Sequence, residues 1–130
     1  TTIYVETYGG KTTAAAKQYT GERRIGFRLF DVSVVPVELL ESSPEQISAW
    51  RESGGQSFFS ETQLKEFSAE ADVELTPRIV CDSSLPVGIS ETHEWLKSHL
   101  AATRVALDDE AGGKPEGLVV RTVDRKGPCL

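Results

Sequence analysis

Apolar and polar positions alternate along some stretches of the chain and recur at helical spacing along others, and this contrast predicts a mixed α+β fold. Residues 2–8, Thr-Ile-Tyr-Val-Glu-Thr-Tyr, are β-branched and aromatic and read as a strand that Gly9-Gly10 stops. A polar connection over 11–22 follows. Residues 25–37 carry the strongest strand signal. Ile25, Phe27 and Leu29 fall on one face and Phe30, Val32 and Val34 on the other, which predicts a central strand covered from both sides.

Helix signals come next. Ser43-Pro44-Glu45-Gln46 offers a serine N-cap, proline at the first helical position and a glutamine that closes a capping box, predicting a helix that ends near Gly54-Gly55. Ser60-Glu61-Thr62-Gln63 repeats the pattern, with Leu64 and Phe67 on one face. Both helices read as a peripheral, acidic insertion over residues 38–74. Residues 78–81 read as a short strand. Ser90 then caps a longer helix whose inward face carries Trp95, Leu96, Leu100 and Leu107. The loop 108–115 leads into a last strand over 117–123. The expected architecture is a mixed, largely antiparallel sheet with peripheral helices.

At 130 residues the chain fits a single domain, residues 1–130, long enough to bury a modest core. No apolar run approaches the roughly 18 residues of a membrane span, and nothing resembles a signal peptide. Cys81 and Cys129 are the two cysteines; they read as reduced thiols of a cytosolic protein, so the expected location is cytoplasmic. The net charge of −6 argues against a generic nucleic-acid coat, but its distribution changes that picture. Residues 1–28 carry five basic side chains against two acidic ones, and residues 38–74 carry two against nine. A basic front can still hold phosphates locally. The chain starts at Thr1-Thr2 and contains no methionine, so it reads as an interior piece of something longer.

Three short motifs bear the chemistry: Glu6-Thr7-Tyr8-Gly9, Phe27-Arg28-Leu29-Phe30-Asp31-Val32, and Glu116-Gly117-Leu118-Val119-Val120-Arg121. Packing of a strand explains Leu118, Val119 and Val120 but does not require Glu116. In order and residue type the three motifs resemble those of the covalent nucleotidyltransferases, most closely ATP-dependent RNA ligases. The resemblance covers residues 1–9, 25–34 and 115–122. It implies a ligase adenylation core that binds ATP and passes AMP, through a lysyl-adenylate, to the 5′-phosphate of an RNA end for joining, with DNA ends as the alternative. It implies that Glu6 contacts the nucleotide sugar, that Phe30 stacks on the adenine with Asp31 beside it, and that Glu116 is catalytic, lying near the sugar and a Mg2+ ion. A flat ring suits a base, and carboxylates accept sugar hydroxyls or hold a hard cation.

The pattern is incomplete. The attacking lysine of a K-x-D/H-G motif is missing, since Lys11 precedes Thr12-Thr13-Ala14, and Arg125-Lys126-Gly127 poorly imitates the family's closing cationic motif. The chain is therefore expected to be an interior fragment that does not become adenylylated by itself. Taken alone, Phe30 reads as a core residue and Glu6 as a solvated strand end. His93 and His99 stand on different helix faces, without ligand spacing to any partner. Two rival readings are a non-catalytic α+β protein-interaction module and a hydrolase using Glu6 and Glu116 as an acid/base pair. The second lacks a supporting signature.

Overall fold

The computed structural model describes residues 1–79 and 84–125. Strands β1 (Thr2–Gly9), β2 (Ile25–Val34) and β3 (Ser57–Phe58) form an antiparallel sheet in the order β1-β2-β3. Helices α1 (Pro44–Glu52), α2 (Glu61–Ala71) and α3 (Ile89–His99) complete an α+β architecture, with short 3-10 turns at Ala16–Gln18 and Val37–Glu41. None of the described helices is long and apolar enough to cross a membrane. The chain divides into two compact units: one of Thr1–Glu6, Arg28–Leu75 and the segment from Val119 onward, the other of Thr7–Phe27 and Thr76–Leu118.

The first unit is organised by apolar burial. Leu29 and Val32 of β2 and Leu64 of α2 form its core, with Phe59, Phe67, Val73 and Leu75 packed around them. Burying a side chain of this size contributes about 1.5–3 kcal/mol. Both predicted capping boxes form: Ser43 accepts from the Gln46 amide while the Gln46 side chain accepts from the Ser43 amide, and Ser60 and Gln63 do the same for α2. Asp72, in the left-handed conformation at φ 51°, ends α2 and turns Val73 into the core. β3 pairs antiparallel with the end of β2, Ser33 opposite Phe58.

The second unit relies on backbone hydrogen bonds between loops. The segment after α3 lies along the first 3-10 turn, where the amides of Leu107, Gly112 and Gly113 donate to the carbonyls of Tyr19, Lys17 and Gln18. Leu107 fills a slot that Gly9 and Gly26 leave open: a Cβ at either glycine would stand under 3 Å from the Leu107 side chain. Gly9 also has φ +80°, a conformation that favours glycine. Asp108 ties down the neighbouring loop, its carboxylate accepting from the Thr20 hydroxyl and from the amides of Gly21, Glu22 and Glu110. Those bonds hold its carboxyl below the usual aspartate range, the Thr20 bond contributing most.

Several expectations change. β2 is central but not covered along its length, since Ile25 and Phe27 are exposed. α2 is not peripheral, because Leu64 is fully buried on β2; α1 and α3, by contrast, bury no residue completely. α3 starts two residues early, with Gly88 as its N-cap in an extended conformation, which puts Ser90 inside the helix. Leu100 is its C-cap and Leu107 lies beyond it. Residues 117–123 form no strand, and the segment's Val119 and Val123 face solvent. A β-branched run forms a strand only where a partner edge and a surface to pack on are available. Arg78 and Ile79 are not in a strand, and the rest of the expected 78–81 strand, with Cys81 and Cys129, lies outside the described residues.

Candidate functional site

β2 loses its alternation at Asp31. Leu29 and Val32 enter the same core although they are three residues apart, and Tyr4 of β1 reaches both Phe30, ring centroids 6.0 Å apart, and Ser33, Oη to Oγ 3.2 Å. In a regular strand, positions three apart point to opposite faces. Asp31 is the residue at which the register shifts. This overturns the predicted pairing of Phe30 with Val32 on one face: Val32 goes to the core and Phe30 stays 38% exposed.

The Asp31 carboxylate gathers donors from distant sequence. Its Oδ1 accepts the Val32 amide at 2.9 Å, and its Oδ2 accepts Arg125 Nη2 at 2.6 Å and Arg121 Nη1 at 3.3 Å. Arg121 Nη2 also donates to the Phe30 carbonyl at 3.0 Å. The side chains of Asp31, Arg125 and Arg121 are 9%, 10% and 17% exposed. A carboxylate so far out of water is sustained by charged donors in close contact, and removing one partner costs more than the pair contributes. Arg125 further stands over the Phe58 ring, 5.2 Å from its centroid, a cation–π arrangement. Its Nη1 is buried and has no hydrogen-bond partner among the described residues.

On the other side of the break lies an aromatic surface. The Tyr4 ring is 6.0 Å from both Phe30 and Phe58, tilted at 46° and 42°. Its hydroxyl contacts Ser33 and accepts from Gln56 Nε2 at 3.0 Å, which fixes the ring from two strands and a loop. Glu6 is exposed, two positions along β1 from Tyr4 and so on the same strand face. Glu6, Phe30 and Asp31 all belong to the first unit.

Glu116 belongs to the second unit. It is exposed, and its Oε1 accepts the Tyr19 hydroxyl at 2.7 Å; the Tyr19 ring packs edge-on against buried Tyr8, centroids 5.4 Å apart. Among the described residues no three His, Cys, Asp or Glu side chains converge on one point. The Tyr19 phenol is the hydrogen-bond partner of Glu116 at Oε1.

His93 is exposed, and His99 stacks on Trp95 at 4.3 Å with Nδ1 2.8 Å from the Trp95 carbonyl, a helix-end contact rather than a ligand set. Sequence reasoning missed Tyr4, Phe58, Arg121 and Arg125 as members of the cluster. Tyr4 carried a signal, two residues before Glu6 on the same face. Arg121 and Arg125 stood in the third motif and in the basic run after it, but nothing local paired them with Asp31, about ninety residues away. Comparison with protein-family models, curated proteins and solved structures finds no match.

Proposed function

We propose that this chain is part of an ATP-dependent RNA ligase-like nucleotidyltransferase, with Phe30 as the platform for adenine and Glu6 as an acceptor for the sugar. The observation that carries this reading is the exposure of Phe30. Its neighbours Leu29 and Val32 are at 0%, and a ring that served only the core would be buried with them. Phe30 instead lies at the surface beside Tyr4, on the strand face opposite the core, with the Glu6 carboxylate farther along β1. A ring with an accessible face and a nearby acceptor suits a nucleoside. The donor is ATP and the acceptor an RNA 5′-phosphate, by the motif resemblance; the lysine that takes up AMP would come from an adjoining segment.

The test is equilibrium binding of ATP to the 130-residue chain, read by its tryptophan fluorescence or by calorimetry. Binding that Phe30→Ala weakens by about tenfold or more, from a stacking contribution of about 1–3 kcal/mol, supports the reading. Binding indifferent to Phe30→Ala, or none, overturns it. No covalent AMP is expected to form on this chain. The interaction-module reading draws on one feature, Val37 and Leu40 of the second 3-10 turn, which are 73% and 80% exposed ahead of the acidic helix α1.

A further inference from the structure

We infer that Asp31 is a positioning residue: it holds Phe30 and the strap 119–125 in place through Arg121 and Arg125, without itself being a ligand for the nucleotide. The inference rests on the nucleotide reading for its consequence, but its physical content is separate. Asp31 uses its acceptor capacity internally, on the Val32 amide and two guanidinium groups, and its side chain is 9% exposed. A carboxylate so engaged has little left to offer a sugar or a phosphate. Arg121 closes the loop of contacts, because the group that pairs with Asp31 also donates to the Phe30 carbonyl. The stacking residue is thereby held by its own backbone at the point where β2 breaks alternation, and such breaks re-aim side chains.

The strap needs this anchor. Residues 119–125 form no helix or strand, expose Val119 and Val123, and take an amide hydrogen bond from Glu61 to the Val123 carbonyl at 3.1 Å. Arg125 has φ +59°, a conformation that a non-glycine residue keeps only where its surroundings enforce it. Its guanidinium is held between Asp31 and the Phe58 ring. The carboxylate thus fastens an irregular segment to the sheet at the place where Phe30 is displayed.

The experiment compares the unaltered chain with Asp31→Asn, Arg125→Gln and the exchange Asp31→Arg with Arg125→Asp, by amide hydrogen exchange and ATP binding. Faster exchange at residues 119–125 and at Phe30 in Arg125→Gln and Asp31→Asn is expected, together with ATP binding weakened by about tenfold and partly restored in the exchanged pair. Arg125→Gln keeps Asp31 and Arg121, so it reports even where Asp31→Asn fails to fold. Unchanged exchange in the strap of Arg125→Gln would overturn the inference. So would ATP binding lost in Asp31→Asn while exchange stays native, which makes Asp31 a direct ligand. Failure of the unaltered chain to bind ATP sinks the nucleotide reading alone; the exchange data then decide the positioning role by themselves.

Discussion

The unit around Leu64 and the unit around Asp108 reach order by different routes. In the first, an apolar cluster of Leu29, Val32 and Leu64 is sealed by α2, and beside it a carboxylate and two arginines are taken out of water. In the second, α3 buries no residue completely, and loops are joined by amide-to-carbonyl bonds and by the donors gathered on Asp108. Apolar burial is non-directional and tolerates shifts, whereas a hydrogen-bonded loop depends on the position of each donor. The irregular feature of interest, the break at Asp31, occurs in the unit with the apolar core. That core offsets the cost of a buried ionic cluster, which a loop-built unit lacks the means to carry.

Leu64→Ala is the strongest way to break this contrast. It leaves a cavity between α2 and β2 and should destabilise the first unit by about 2–5 kcal/mol, measured by urea denaturation. The exchange pattern should localise the loss to residues 28–75. Loss spread evenly over Thr76–Leu118 would dissolve the distinction between the units. The two capping boxes sharpen it further: Ser60→Ala should cost about 1 kcal/mol because α2 carries the core, while Ser43→Ala, in a helix without a buried residue, should leave the global midpoint nearly unchanged. Equal effects from both would mean that α1 contributes to the cooperative unit after all.

The smallest expected effect is electrostatic. Asp108 has a folded pKa below its ordinary value of 3.8, so its contribution is complete above that pH. As pH falls from 3.8 through the lower folded value, the contribution is lost, and stability declines with it. Asp108→Asn should remove that part of the acid slope, read from urea midpoints across the acid range. Because Asp108 is at the surface, salt and solvent screen the effect. An acid slope unchanged by Asp108→Asn would show that the loop it ties down contributes nothing to global stability.

What could be read from the order of residues was local. Both capping boxes, the stop at Gly9-Gly10 and the shared face of Leu64 and Phe67 follow from short-range stereochemistry, in which the partners are three or four positions apart. The α+β class also followed, since strand and helix periods differ. For the candidate site, residue types were legible at Glu6, Phe30 and Asp31 from their motif context. Their company was not, because Arg121, Arg125 and Phe58 come to Asp31 and Tyr4 from far along the chain.

Tertiary structure settled the rest. Whether the strand propensity of Leu118, Val119 and Val120 became a strand depended on a surface to pack on, and Val119 stays 79% exposed. The face on which Phe30 emerged depended on a one-residue shift at Asp31, and strict alternation along the sequence cannot foresee such a shift. Local pattern determines which elements form, because its causes lie within a helical turn or a pleat. Which side chains meet is decided by packing and by long-range charge pairing, whose partners are close only after the chain has folded.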